Sequence, residues 1–475
     1  MEDGLPDKPR LNRSCDAPKV GIVHLGPGAF FRAFNAVYTD EAMANAGGDW
    51  GICAVSLRSP TARDQLDPQG GAFTSVTLSE DGPKPRVIES ISRVLVAPED
   101  PNAVVDAMAD AGVKIVSLTI TEKGYCHEPA TGALNRTHPD VVHDLANIAA
   151  PRTAVGFIVA ALAKRHAAGG KPFTVLSCDN LPSNGALARG TVLDFARAYD
   201  PALADWIAEN VPFPATMVDR ITPATTDADV EKLTEIAGYH DPACVFHEAF
   251  RQWVIEDDFA DGSPAWDSVG AQFVKDVDAH ELMKLRCLNG THSTMAYLGY
   301  LAGLATIGDV VTDPEFAGLC EKLWHEEIIP TLPQPDGEDL PAYCATLMDR
   351  FKDTSIRHKT WQIAMDGSQK LPQRLLGTIA DNLAQGHLPN GLILAVAAWM
   401  RYVGGTDEKG DPIDVRDPMA DQLKAADGVF DLLGFRDIFS EMLAQNPAFR
   451  APLTAAYVRL QSQGARAAVK EYIAQ

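Results

Sequence analysis

Residues 284–292 read Lys-Leu-Arg-Cys-Leu-Asn-Gly-Thr-His, setting a lysine, an asparagine and a histidine inside one apolar stretch, Asp278 to Leu304. That stretch reads as a buried helix, which has little structural use for such groups. A lysine can move a proton, an asparagine amide can donate to a developing oxyanion, and an imidazole can orient a hydroxyl. Lys284, Asn289 and His292 are therefore candidates for chemistry at a carbinol oxygen. At about 100° per residue they span about 140° of arc, compatible with one end of a cleft. Leu282, Met283, Leu285 and Leu288 lie between or beside them, and desolvation in such surroundings would bring an ammonium closer to neutrality. Taken singly, Lys284 also reads as a snorkelling surface residue and His292 as a bonded core histidine. The three together favour catalysis.

A second cluster lies at 351–374, where five Lys/Arg stand against two Asp, a local charge of +3 in a chain whose net charge is −23. Arg357, His358, Lys359, Lys370 and Arg374 are candidates for holding an anionic substrate, arginine being suited to a two-pronged grip on a carboxylate. A solvated surface is the plain alternative, and Asp366-Gly367-Ser368-Gln369-Lys370 also has the look of a specific turn.

The elements that must position these groups begin near the N-terminus. Lys19 to Leu25 is a short apolar run followed at once by Gly26-Pro27-Gly28-Ala29-Phe30-Phe31-Arg32, and then by a helical pattern through Ala36 to Ala44. Strand, glycine turn and helix in that order suit close approach of a pyrophosphate to backbone N–H groups, with Gly26, Gly28 and Phe30 as the candidate cradle. Phe31 stands where the usual third glycine would be, and an ordinary strand-to-helix turn would use the first two glycines equally well.

The next strand, Trp50 to Leu57, ends in Leu57-Arg58-Ser59-Pro60, with no acid for a ribose 2′-hydroxyl. Arg58 could face a 2′-phosphate instead, so NAD and NADP both stay open on these residues. Val87 to Val96 gives a third apolar-periodic segment. Apolar runs at Val113–Ile120 and Phe173–Cys178 alternate with helical patterns at Ala103–Asp110 and Thr153–Ala167. This alternation predicts a mostly parallel sheet with helices on both faces, a doubly wound α/β domain.

Such sheets build ligand crevices at the C-terminal ends of their strands. Glu122 follows one strand in Thr-Ile-Thr-Glu-Lys-Gly-Tyr, and Asp179 and Asn180 follow another in Ser-Cys-Asp-Asn-Leu-Pro. Loop capping by Thr, Asp and Asn explains either motif alone. Asp219 and Arg220 sit in Phe-Pro-Ala-Thr-Met-Val-Asp-Arg-Ile-Thr-Pro, where a structural ion pair competes with a place beside a cofactor.

From about Asp276 the texture turns helical, through Asp278–Leu304, Pro314–Ile329, Leu371–Ala384, Leu392–Tyr402 and Leu453–Tyr472, with a polar loop at Gly404–Pro418. A boundary near 270–280 gives a Rossmann-like domain over 1–275 and a mostly α-helical one over 276–475.

Bulk composition closes off other classes. Among 475 residues, 46% are hydrophobic and 22% charged, ordinary for a globular chain and long enough for two cores. The excess of 64 acidic over 41 basic side chains repels phosphate backbones and anionic lipid, so neither nucleic acid nor membrane is an expected partner. Met1 to Pro18 is polar and no apolar run has membrane-spanning length, which predicts a cytoplasmic protein. Eight scattered cysteines without a Cys-x-x-Cys pair indicate neither a disulfide framework nor a zinc ribbon, and no metal is expected. A glycine turn with Lys284, Asn289 and His292 points to a nicotinamide-dependent alcohol/ketone oxidoreductase. A catalytically silent nucleotide-binding protein on the same fold is the alternative from another class.

Over roughly 18–465 the sequence resembles the polyol-specific long-chain dehydrogenase/reductase family, also called the mannitol dehydrogenase family. The carriers are IVHLGPGAFFRA, LTITEKGY, SCDNLPSNG, FPATMVDRITP and ELMKLRCLNGTHSTMAYLGYLAG. The resemblance implies Lys284 as general acid/base, Asn180 and Asn289 as donors to the alkoxide, His292 as the group orienting a substrate hydroxyl, and Glu122 in proton exchange between the lysine and solvent. It implies no metal. HKTWQIAMDGSQKLPQR looks more like the fructuronate reductase (D-mannonate oxidoreductase) branch than like mannitol 2-dehydrogenase, where an arginine tends to replace Gln362. The implied reaction is NAD-linked interconversion of D-mannonate and D-fructuronate, with a neutral polyol and its ketose as the alternative substrates. The implied partner is a small sugar acid or polyol, and the expected state is a monomer or weak homo-oligomer.

Overall fold

The computed structural model describes residues 8–128 and 131–475, so the first seven residues of the polar leader lie outside the described residues. The chain divides into two compact units, Met1–Asp278 and Ala279–Gln475.

The strands of the first unit are β1 (Val20–Leu25), β2 (Gly51–Ser56), β3 (Phe73–Thr77), β4 (Lys84–Ile88), β5 (Ile91–Val96), β6 (Ile115–Leu118), β7 (Thr174–Ser177), β8 (Thr216–Asp219), β9 (Val245–His247), β10 (Gln252–Glu256) and β11 (Gln272–Val274). Five of them form a parallel sheet in the order β5-β2-β1-β6-β7. Counted along the chain, this is the 3-2-1-4-5 order of a doubly wound dinucleotide fold, whose winding reverses between β1 and β6. Alternate side chains serve opposite faces. Val23 and Leu25 join the core beneath helices Pro101–Ala109, Ala154–Ala167 and Asn184–Tyr199, while Ile22, Ile52, Ala54 and Ile115 join the one that includes helix Asn35–Ala46. The α/β expectation is borne out.

The segment read as one run, Val87 to Val96, is divided between two sheets. Ile88 ends β4, which pairs antiparallel with β3 in a small sheet, and β5 begins only at Ile91 in the large one. Nothing in its periodicity marks that change of partner. A second small sheet contains β8, paired antiparallel with β10, so the Phe213–Pro223 motif carries a strand that its prolines obscured.

At the reversal point, Gly26 adopts φ +95°, and a Cβ there would lie 2.2 Å from the Thr119 carbonyl oxygen. Thr119 Oγ1 donates to the Gly26 carbonyl at 2.7 Å, so the ends of β1 and β6 are drawn together over a residue that only glycine can supply.

Among the described residues the second unit is helical, apart from two isolated bridges, Thr306 with Lys359 and Thr406 with Pro412. Its single core surrounds helix Asn390–Val403, which is apolar on nearly every side and accordingly buried. The buried Glu327 carboxylate accepts from the Gly391 and Leu392 N–H groups at that helix's N-terminus and from the Tyr472 hydroxyl, tying three elements together. No helix among the described residues is long and apolar enough to cross a membrane.

Replacing Gly26 by alanine should destabilise the first unit by about 2–4 kcal/mol, through left-handed strain and collision with a carbonyl that cannot move without parting the strands. Thermal denaturation checks this. A melting temperature unchanged to within about a degree would show that the close approach is dispensable.

Candidate functional site

A cavity of about 1140 Å³ opens in the first unit at the C-terminal ends of its parallel strands. Gly26 and Gly28 form its floor, Arg58 stands on the β2 side, and Thr119 to Thr121 close the β6 side. Gly28 differs from Gly26 in kind: the nearest atom to a Cβ built there is 3.9 Å away, so that position faces open space. Close to the turn, Arg32 is buried, and its Nε has no hydrogen-bond partner among the described residues. Burial holds this guanidinium below its ordinary pKa, with Asp241 opposing the shift. An open glycine floor beside a buried guanidinium whose Nη1 donates to the Pro27 carbonyl at 3.4 Å and whose Nε stays unsatisfied fits the pyrophosphate of a dinucleotide. Arg32 was legible in the motif, but the helical pattern around it gave no sign that its side chain turns toward the cavity.

Asp179 and Phe30 both have local partners in this arrangement. The buried Asp179 carboxylate accepts from the Ile120 N–H at 3.1 Å, the Thr121 N–H at 2.8 Å and the Tyr125 hydroxyl at 2.8 Å. It fixes the turn after β6, the capping role that its residue type also allowed. Burial raises its pKa while these donors oppose the shift. Phe30 stacks on Phe34, ring centres 5.0 Å apart, and does not line the cavity. Asn180 is exposed just beyond Asp179; Glu122 is exposed too, with one carboxylate oxygen 3.8 Å from His127 Nε2. Asp219 is buried at the end of β8, and its neighbour Arg220 donates to the carbonyls of Ala33 at 2.7 Å and Glu248 at 3.2 Å, pinning the glycine-turn helix to β8.

His24, which sequence reasoning missed, supports the same floor. Its Nδ1 lies 2.8 Å from Ser117 Oγ, its Nε2 lies 2.9 Å from Thr119 Oγ1, and its ring stacks on Phe31. The strand pattern offered only one polar residue on an apolar run as a signal.

In the second unit the expected helix from Asp278 exists but is not continuous. Asp278–Met283 is α-helical, Lys284–Gly290 is π-helical, and Thr291–Leu301 is α-helical again. The i→i+5 register of the middle piece sets Asn289 one turn beyond Lys284, a closer alignment than about 140° on a regular helix. Two features accompany the widened turn. The Trp324 indole donates to the Cys287 carbonyl at 2.9 Å, and Gly290 admits a second π-helical piece, Pro372–Leu376, so closely that a Cβ would lie 2.7 Å from the Arg374 carbonyl oxygen.

Lys284 is only 7% exposed, which sets aside the snorkelling surface reading. Asn289 is half-buried. His292 Nε2 is enclosed and has no hydrogen-bond partner among the described residues, unlike a bonded core histidine. Its ring centre lies 5.9 Å from that of His358 and 4.6 Å from that of Phe351. Burial, then His358, Arg374 and Arg350, push the His292 pKa well below its ordinary range, so the ring is neutral near pH 7.

Arg374 donates to Ser293 Oγ at 3.2 Å, and Lys370 donates to the Met365 carbonyl at 2.6 Å. Desolvation lowers the pKa of both, and Arg374 further disfavours the charge on Lys370. Arg357 is exposed and Asp366 takes φ +56° in the turn its sequence suggested. Arg350 was missed because it falls one residue before the charge run that drew notice. Among the described residues no group of three or more His, Cys, Asp or Glu side chains is placed to hold a metal ion.

The strand order and the glycine-floored cavity make the first unit a Rossmann domain, followed by a separate helical unit. The description "Mannitol dehydrogenase Rossmann domain" matches residues 20–268, and "Mannitol dehydrogenase C-terminal domain" matches 276–461. The chain belongs to the mannitol dehydrogenase family. It is an oxidoreductase of that family, acting on the CH–OH group of a polyol or sugar acid. It is 48% identical to D-mannonate oxidoreductase of Escherichia coli strain K12, over 94% of each chain. It is 42% identical to a mannitol 2-dehydrogenase of Phaeosphaeria nodorum, over 96% of this chain and 81% of that protein. Among solved structures, the ternary complex of Pseudomonas fluorescens mannitol 2-dehydrogenase with NAD and D-mannitol aligns with TM-score 0.84 at 39% identity, covering 99% of this chain and 98% of that one.

Burial holds His24 at a pKa of about 3 against an ordinary 6.5. On acidification the unfolded chain takes up that proton first, so the contribution is complete above pH 6.5 and is lost between 6.5 and about 3. It should fall by about 1.4 kcal/mol per pH unit in that window. Urea unfolding of the wild type and His24→Gln at pH 7, 6, 5 and 4 checks this: the variant, weaker at pH 7, should show the shallower decline. Parallel slopes would exclude a neutral buried imidazole.

Proposed function

We propose that the protein is an NAD-dependent reductase that interconverts D-mannonate and D-fructuronate. The observation that carries the choice of an acidic sugar is the convergence of Arg374, Arg350 and His358 on His292, with Lys370 beside Arg374. A carboxylate would gain charge-assisted contacts from such basic side chains, beyond the counter-charge that Asp366 already gives Lys370 at 4.0 Å, and a neutral polyol would gain less from them. The 48% identity to a D-mannonate oxidoreductase supports the same reading.

Bound NADH supplies the hydride that reduces the keto carbon. Lys284 is the acid/base: in reduction its ammonium protonates the oxygen at C5 of the forming mannonate, and in oxidation the neutral amine takes that proton back. Asn289, one turn along the π-helical piece, donates its amide N–H to the same oxygen while charge develops there. A neutral His292, with Nε2 unsatisfied, gives or accepts one hydrogen bond with a substrate hydroxyl and orients the chain of carbinols. Lys370 and Arg374 hold the carboxylate and distal hydroxyls, with Arg357 and His358 in secondary contacts. Gly26, Gly28 and Arg32 hold the pyrophosphate of the dinucleotide, and Asp179 positions the turn beside it. Asn180 as a second donor to the alkoxide and Glu122 in proton exchange with solvent are assigned by resemblance alone.

Two measurements test the assignment. Lys284→Ala should lower kcat by a factor of about 10²–10⁴ while the NADH dissociation constant, read by fluorescence titration, changes less than about threefold. Turnover retained in that variant would remove the lysine from the chemistry. Arg374→Ala should raise KM for D-mannonate about 10- to 100-fold, the value of one charge-assisted contact, with a smaller effect on mannitol. Wild-type kcat/KM higher for mannitol than for mannonate would make the protein a neutral polyol dehydrogenase instead.

A further inference from the structure

The wall of the first-unit cavity carries Arg32, Arg58, Lys123 and Arg152 but one carboxylate, Asp140, giving four positive charges against one in a chain of net charge −23. Asp140 lies 3.7 Å from Arg152 Nη1 and so already has a counter-charge. On the β2 side, where a dinucleotide's adenosine ribose lies in a sheet of this order, the wall runs Ser56, Leu57, Arg58, Ser59, Thr61 and Gln65, without an acid. Two of these side chains are occupied locally: Ser56 Oγ donates to the Ser59 carbonyl at 2.6 Å, and Ser59 Oγ donates to Thr61 Oγ1 at 3.2 Å. Arg58 is exposed, and no hydrogen bond or ion pair holds it among the described residues.

An enzyme restricted to NAD places a carboxylate here, because it accepts from the ribose 2′-hydroxyl and repels a 2′-phosphate; that repulsive element is what rejects the phosphorylated cofactor. This cavity lacks it and offers an uncommitted guanidinium in its place. We propose that Arg58 forms the recognition site for a 2′-phosphate, so that the protein accepts NADPH as well as NADH. The inference rests on the dinucleotide reading of the cavity made above. It concerns the adenosine end of the site and leaves the sugar specificity untouched.

Direct binding to the full-length protein, by calorimetry with NADH, NADPH, 5′-AMP and 2′,5′-ADP, tests it without turnover. The expected result is a dissociation constant for NADPH within about tenfold of that for NADH, and tighter binding of 2′,5′-ADP than of 5′-AMP. Arg58→Ala should weaken NADPH and 2′,5′-ADP by at least about tenfold while NADH changes less than about threefold. Arg58→Asp should abolish NADPH binding and keep that of NADH. Raising the salt concentration should weaken NADPH more than NADH in the wild type and equally in Arg58→Ala. NADH binding with no detectable NADPH binding would overturn the inference and leave the proposed function standing. Equal weakening of both cofactors by Arg58→Ala would overturn it too, marking Arg58 as an adenine support. Failure of both cofactors to bind would instead defeat the dinucleotide reading itself.

Discussion

The close approach of two strand ends at the winding reversal is the constraint on which the first unit depends. No side chain fits between Gly26 and the Thr119 carbonyl, and the contact is held from both sides. Beneath it, His24 bridges Ser117 and Thr119; beyond it, Asp179 takes the N–H groups of Ile120 and Thr121. These groups are polar and buried, so each missing partner would leave an uncompensated donor or acceptor in the interior. The network therefore behaves as a unit beneath the crevice at the C-terminal ends of the central strands. Arg220 extends the support by fastening the turn helix to a different sheet through two backbone carbonyls.

The second unit solves a different problem, that of presenting polar groups from inside an apolar helix. A regular helix would fan Lys284 and Asn289 apart, whereas the π-helical piece brings residues five apart into line. Such a loosened turn needs partners for its backbone and room for its girth. The Trp324 indole supplies the first and Gly290, against the backbone of Arg374, the second. Packing of one widened helix on another also carries Arg374 to Ser293, next to His292. Charge follows from this geometry: the imidazole stays neutral because desolvation and neighbouring cations both oppose its protonation.

Much of this was legible in the chain. Short apolar runs alternating with helical patterns pointed to the parallel sheet, and the two glycines after the first strand pointed to the turn, because local sterics act within a few residues. The concentration of lysine, asparagine and histidine within 284–292 stood out for the same reason: a buried helix rarely carries them without use. Residue type likewise raised Arg58, Arg374 and His358 as candidates.

What tertiary structure alone decided was which candidates have a free hand. Asp179 and Arg220 carry charge that suits a ligand, yet their partners are backbone groups contributed by strands and turns distant in sequence. Arg32 and Arg350 looked ordinary in their helices and became notable only through the cavity wall and the neighbourhood of His292. The change of sheet between Ile88 and Ile91 and the π-helical register at Lys284 were equally invisible. Local sequence fixes backbone preference over a turn or two, but a hydrogen-bond partner or an enclosing wall comes from chain that is remote in sequence and adjacent only after folding.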